Sequence, residues 1–139
     1  MPETIWIFAV RAAGAAHFVT LACACATPIP RNWDRSLGQL PAVHRRFALA
    51  QNVFIGAVIV YLGGVSLALA PELVRGTPLA RALCVGAALW WGGRLVTLPW
   101  LQVWPELTTW IARVGFALLH VECAAFGAGY LWLALRAGK

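Results

Sequence analysis

Three ionisable side chains, Arg113, His120 and Glu122, lie within the last long apolar run of the sequence, residues 110–135. Such a run is long enough to cross a membrane, for which about 20 apolar residues suffice. Ionisable groups are costly at membrane depth, so they usually face a protein interior or a hydrated cavity and take part in function. A guanidinium, an imidazole and a carboxyl group can bind an anion, ligate a metal or transfer a proton. These residues are the first candidates for a functional site.

The composition indicates an integral membrane protein. Of the 139 residues, 61% are hydrophobic and 12% are charged, and the mean hydropathy is +0.74. Soluble domains are much less apolar. The formal net charge is +6, but the basic residues are dispersed between apolar segments, whereas nucleic-acid-binding proteins cluster them on one face. Membrane lipids are therefore the expected partners, and nucleic acid is not.

The apolar segments predict an all-α fold, an integral membrane four-helix antiparallel bundle that forms a single transmembrane domain over residues 1–139. An interfacial loop is expected at residues 28–40. The four helices are expected at about residues 5–27, 41–70, 78–98 and 105–135.

Proline and tryptophan positions support this division of the chain. Pro28 should end the first helix because its ring cannot continue a helix, and Pro105 is expected to open the fourth. Thr77, which precedes a proline, is typical of the N-cap of a third helix. Trp6 and Trp132 are expected at the same membrane interface, where tryptophan is enriched.

The charge distribution predicts an orientation. Four arginines lie in residues 28–46, and none precedes the first helix. The positive-inside rule then places residues 28–46 in the cytoplasm and both termini on the other side. We expect the inner membrane of a bacterium.

The predicted bundle allows the depth of its polar residues to be compared, because alternate helices run in opposite directions. His17 of the first helix lies near mid-membrane, as do His120 and Glu122. Four further residues fall in the third of the membrane nearer the loop at 28–40, namely Gln51, Asn52, Arg94 and Arg113.

The last helix is predicted to be polar on two sides. At about 100° per residue, one stripe contains Arg113, His120 and Gly127. The other stripe lies nearly opposite and contains Glu122 between Gly115 and Gly129. Glycines let helices approach closely in a membrane, so the Glu122 stripe is expected to pack closely against another helix.

These positions predict a small multi-pass membrane protein that binds an amphiphilic or anionic ligand, or docks to a partner, through a polar cluster inside the bundle. Arginine suits this chemistry because its planar guanidinium binds carboxylates and phosphates through two hydrogen bonds. The expected ligand-binding residues are Gln51, Asn52, Arg94, Arg113, His17, His120 and Glu122.

Two alternatives come from other classes of protein. Four-helix membrane bundles can hold haem between facing helices, so His17 and His120 could be axial ligands of a haem in an electron-transfer protein. The chain could instead be a structural accessory subunit of a larger membrane complex, or form a homo-oligomer. No other cofactor and no metal site is indicated, and the sequence lacks the common hydrolase motifs, so an enzyme is not expected.

Overall fold

The computed structural model describes residues 3–26 and 33–136, and these residues are all-helical. Four of the helices are long and apolar enough to cross a membrane. They are α1 (Glu3–Ala26), α3 (Ala42–Ala68), α5 (Pro78–Thr97) and α6 (Trp110–Arg136). Two short helices, α2 (Trp33–Gln39) and α4 (Ala70–Arg75), lie beside α3 in the sequence. The predicted all-α fold is confirmed.

The predicted helix at 41–70 is interrupted near its end. α3 stops at Ala68, and α4 follows as a separate helix of 6 residues. Leu69 between them has φ −109° and ψ 20°, which is outside the helical range, and Pro71 has no backbone N–H to donate to the preceding turn. Gly76, with φ 69°, ends α4 in the left-handed conformation that glycine adopts without strain.

Two other predicted limits also differ. Within the predicted loop at 28–40, residues 33–39 form α2, while Pro28 lies outside the described residues. Pro105 does not open the last long helix; it lies in a 3-10 turn, Trp104–Glu106. α6 begins at Trp110 because the hydroxyl of Thr109 accepts the N–H of Ala112, at 3.2 Å, and so caps the first turn. The predicted cap of α5 is confirmed, since the hydroxyl of Thr77 accepts an N–H at 3.3 Å.

The helices pack as two close pairs, α1 with α3 and α5 with α6. Gly14 and Gly63 form the α1–α3 contact, where a Cβ atom on Gly14 would lie 3.0 Å from the carbonyl oxygen of Gly63. In the other pair, a Cβ atom on Gly127 would lie 3.5 Å from the backbone nitrogen of Gly92. Backbones that approach this closely gain the packing contacts that hold helices together in an apolar solvent.

Large side chains connect the two pairs in the centre. The indole of Trp91 and the imidazole of His17 have no exposed surface. Many apolar side chains instead cover the outside, including Val53 and Phe54 of α3, which are 71% and 72% exposed. An apolar exterior of this kind suits a lipid solvent.

We expect Gly14→Ala to lower the stability of the protein by about 1 to 3 kcal/mol, the usual cost of overpacking. The added methyl group would lie 2.9 Å from Leu67 Cγ and 3.0 Å from two backbone atoms of α3, so the helices would have to separate. Thermal unfolding in detergent measures the effect. Gly64→Ala is the matched control because a Cβ atom there meets nothing within 4 Å. Equal melting temperatures for the two variants would contradict the close α1–α3 contact.

Candidate functional site

His17 of α1 lies at the centre of the molecule, with both ring nitrogens engaged. Its Nδ1 lies 2.7 Å from the carbonyl oxygen of Ala13, and the indole Nε1 of Trp91 on α5 lies 3.2 Å from its Nε2. An indole nitrogen can only donate, so Nε2 must accept and Nδ1 must carry the hydrogen that is donated to Ala13. This arrangement holds the imidazole neutral and in one tautomer.

Aromatic rings and a second buried hydrogen bond surround this imidazole. Phe126 of α6 stacks on the His17 ring at 4.1 Å, and Tyr130 lies edge-on at 6.0 Å. The hydroxyl groups of Tyr130 and Ser66 of α3 form a hydrogen bond of 2.6 Å. All four long helices therefore contribute to one buried polar and aromatic centre.

Glu122 of α6 is linked to α1 by a hydrogen bond with Thr20. The Thr20 hydroxyl lies 2.9 Å from both Glu122 Oε1 and the carbonyl oxygen of Ala16. A hydroxyl group has one hydrogen, so Thr20 divides its donation between Glu122 Oε1 and the carbonyl oxygen of Ala16. Glu122 is also near enough to His17 for the two to interact electrostatically.

Arg94 of α5 contacts the residue that follows Glu122 in the sequence, Cys123. Its guanidinium interacts with the thiol of Cys123, which is fully buried. We call these residues the core polar cluster: His17, Thr20, Trp91, Arg94, Glu122 and Cys123.

The structure brings together three of the seven residues that the sequence predicts for a ligand site, namely His17, Arg94 and Glu122. Four others lie outside the core polar cluster. Gln51 and Asn52 are exposed on α3, and Arg113 is exposed and donates its Nε–H to the carbonyl oxygen of Leu107, at 3.0 Å. His120 is half-buried, and its Nδ1 donates to the carbonyl oxygen of Phe116 at 2.8 Å.

The two predicted stripes of α6 are separate, but their glycines behave differently from the prediction. Gly115 and Gly129, beside Glu122, have open space where a Cβ atom would be, so the predicted close packing at these positions is wrong. Gly127 of the His120 stripe makes the close contact, with α5. Glu122 reaches α1 through a side-chain hydrogen bond, which needs no close backbone approach.

The haem alternative would require a change in this arrangement. Coordination of iron through Nε2 of His17 would remove the hydrogen bond from Trp91 and leave a buried indole N–H without an acceptor, at a cost of about 1 to 3 kcal/mol. His120 lies instead against Phe116, which contacts its ring edge-on at 4.7 Å. The hydrogen bonds of His17 therefore favour a structural role for this imidazole.

A second feature, which the sequence did not predict as a site, is a cleft between α1 and α6. Its volume is about 120 Å³, and small apolar residues line part of it, including Ala9 and Ala13 from α1. Ala125 and Gly129 line the facing side. α1 and α6 therefore leave a gap next to the centre that His17 and Phe126 occupy.

Two tryptophans line one end of the cleft, and an arginine lies against both of them. The rings of Trp6 and Trp132 contact each other at 4.1 Å, and the Arg136 guanidinium lies 4.9 Å and 4.8 Å from their centroids. This contact places the two tryptophans at the same end of the helices, while their position at a membrane interface stays a prediction. Trp6 Nε1 and Arg136 Nη1 are buried and have no acceptor among residues 3–26 and 33–136. We call Trp6, Trp132 and Arg136 the cleft cap.

The fold and these two features define a class: an all-helical protein with four helices suited to a membrane, a polar centre and a side cleft. No protein-family model matches the chain, and no curated protein or solved structure is significantly similar to it. Within residues 3–26 and 33–136, no group of three or more His, Cys, Asp or Glu side chains is arranged to hold a metal ion.

Proposed function

We propose that this chain is a multi-pass membrane protein that binds an anionic amphiphile, a molecule with a phosphate or carboxylate head and an aliphatic tail, in the cleft between α1 and α6. The observation that carries this proposal is the cleft cap. Trp6 and Trp132 line one end of an otherwise apolar cleft, and the Arg136 guanidinium lies against both of their rings. Trp6 and Arg136 each have one buried N–H without an acceptor among the described residues. An anionic amphiphile has the same division into polar and apolar parts.

The head group would supply the acceptors that the cleft cap lacks. A buried donor without an acceptor costs about 1 to 3 kcal/mol, so an oxygen that accepts from Arg136 and Trp6 would recover this energy. Hydrogen bonds between an arginine and an anion are about twice as strong as those between neutral groups. Trp132 would help to hold the guanidinium in place through its own cation–π contact, at 4.8 Å.

The tail would occupy the apolar part of the cleft. Alanine and glycine line both of its sides, so an aliphatic chain can lie against the backbones of α1 and α6. The cleft is partly open, so a tail longer than the cleft would continue into the surrounding lipid. Such binding rests on van der Waals contact, which in an apolar solvent replaces the hydrophobic effect.

The proposal includes the membrane arrangement. The four long helices would cross the membrane in alternating directions, with the cleft cap at head-group depth, where tryptophan and arginine are favoured. If residues 28–46 face the cytoplasm, as the positive-inside rule predicts, the cleft cap lies at the opposite surface. Two alternatives stay predictions, docking to a partner and a purely structural role. No contact among the described residues favours either of them.

The experiment compares two glycines of α6 that both have room for a larger side chain. Gly129 lines the cleft, and Gly115 does not; a Cβ atom meets nothing within 4 Å at either position. We expect Gly129→Leu to fill the cleft and reduce binding of an anionic phospholipid, phosphatidylglycerol, at least tenfold, measured by native mass spectrometry from detergent. Gly115→Leu should bind as the unaltered protein does.

A zwitterionic phospholipid with the same tails supplies the second comparison. The unaltered protein should bind phosphatidylcholine at least tenfold more weakly than phosphatidylglycerol. Equal binding of the two lipids, or equal binding by the two leucine variants, would refute the proposal.

A further inference from the structure

The buried N–H groups without acceptors follow a pattern. Within residues 3–26 and 33–136, the buried side-chain nitrogens that lack a partner belong to two tryptophans and two arginines. Trp6 and Arg136 form the cleft cap described above. The other two atoms are Trp90 Nε1 and Arg94 Nε, which both belong to α5. The chain thus repeats the same combination of donors in a second place.

Trp90 and Arg94 are positioned to act together. They are four residues apart on one helix, so they project from the same face with Cβ atoms about 5 to 6 Å apart. The indole of Trp90 packs against the buried core, and Arg94 reaches the Cys123 thiol of α6. Two N–H donors are therefore held on one face of α5, on half-buried side chains.

This donor pair is separate from the cleft cap. Arg94 contacts α6 at Cys123, whereas the cleft cap includes Arg136 at the end of the same helix. These two positions are 13 residues apart, or about 20 Å along α6. One head group cannot contact both places.

The charge of Arg94 is not neutralised by an ion pair. In the described part of the chain, the only ion pair joins Arg75 to Glu72, at 2.7 Å. Glu122, the nearest acid on α6, is hydrogen-bonded to Thr20 instead. A thiol is only a weak acceptor for a guanidinium. Arg94 is half-buried, and its buried Nε–H has no acceptor among the described residues. An anion that accepts this N–H would supply a charge-assisted hydrogen bond.

We propose that Trp90 and Arg94 form a second anion-binding site, for a phosphate or carboxylate group, that is independent of the cleft. Nε–H and one terminal N–H of the guanidinium would donate to two oxygens of the anion, the paired geometry that arginine favours. The indole N–H of Trp90 would donate to a further oxygen. The anion could be a free ion or the head group of a phospholipid, since both present the same oxygens.

Calorimetry on the detergent-purified protein tests the proposal with two probes. Inorganic phosphate is titrated alone in one arm, and short-chain phosphatidic acid in the other. Binding in both arms identifies a site open to free anions and supports the proposal. Binding of the lipid alone supports a head-group site only if Gly129→Leu, in which the cleft is filled, still binds the lipid; loss of binding in that variant would assign the lipid to the cleft. Failure of both probes to bind would overturn it.

Substitutions then locate the binding. We expect Arg94→Gln to weaken it at least tenfold and Trp90→Phe, which keeps the aromatic packing but removes the donor, to weaken it about threefold to tenfold. Trp100→Phe is the control because Trp100 is 84% exposed. Trp90→Phe should unfold at the same temperature as the unaltered protein or higher, so a loss of binding is not a loss of fold. Unchanged binding in both α5 variants would overturn the proposal.

Gly129→Leu separates this site from the cleft. It should leave phosphate binding unchanged even where it prevents lipid from entering between α1 and α6. Loss of phosphate binding in Gly129→Leu would assign the anion to the cleft cap and overturn the second site. The result for phosphate binding does not depend on whether the cleft binds an amphiphile.

Discussion

Replacing Arg136 by glutamine is expected to weaken the binding of an anionic phospholipid by about 10- to 100-fold. The substitution removes the cation that lies on both rings of the cleft cap, at 4.9 Å from Trp6 and 4.8 Å from Trp132. Hydrogen bonds to charged groups contribute about 1.5 to 3 kcal/mol, and each 1.4 kcal/mol is a factor of ten in affinity. Titration of phosphatidylglycerol, followed by native mass spectrometry, measures the change.

Two control variants make this prediction specific. Arg46→Gln removes a positive charge from an exposed position of α3 and should leave lipid affinity unchanged. Arg136→Lys keeps the charge but loses the planar group, so its affinity should lie between those of the unaltered protein and Arg136→Gln. Equal loss of affinity in Arg46→Gln and Arg136→Gln would mean that net charge alone attracts the lipid.

Replacing His17 by alanine is expected to cause the largest loss of stability. The imidazole has no exposed surface, stacks on Phe126 at 4.1 Å and accepts the indole N–H of Trp91. Its removal leaves a cavity among the four long helices and a buried donor without an acceptor. The orphaned donor costs about 1 to 3 kcal/mol, and the lost packing adds to this. We expect thermal unfolding in detergent at a much lower temperature, or failure to purify as a folded protein.

An exposed histidine, His44, supplies the control for His17→Ala. His44 is exposed near the start of α3, and His44→Ala should change stability by no more than about 0.5 kcal/mol. Trp91→Phe, which removes the donor but leaves a ring, should cost less than His17→Ala. A melting temperature for His17→Ala equal to that of His44→Ala would show that the imidazole does not organise the centre.

The long helices were predictable because apolar segments of sufficient length are a strong signal, whereas their limits depend on local chemistry. The cap at Thr77 was recognised from the following proline. The cap at Thr109 was missed because Pro105 offered a more familiar helix start, which the structure uses for a 3-10 turn instead. The end of α3 at Ala68 lies within two residues of the predicted limit, since Pro71 cannot donate to the preceding turn. The separate helix α4 was not predicted.

The site was predictable only in part. Ionisable residues are rare in apolar runs, and this rarity placed His17, Arg94 and Glu122 among the candidates. The structure places these three side chains in the core polar cluster. The comparison of depth also selected Gln51 and Asn52, which are exposed, because depth along a helix does not tell which side a residue faces. Arg136 was missed because an arginine at a helix end is ordinary. Its pairing with Trp6, 130 residues earlier, is a long-range contact.

Cross-linking with a photoactivatable lipid is the most direct test of lipid binding between α1 and α6. Phosphatidylglycerol with a diazirine in its tail is added to the purified protein, irradiated and mapped by peptide mass spectrometry. We predict cross-links concentrated on cleft residues of the two helices, Ala9, Ala13, Ala125 and Gly129, and their loss in Arg136→Gln. Cross-links spread evenly over the exposed apolar surface, with Val53 and Phe54 labelled as strongly as the cleft, would contradict the account.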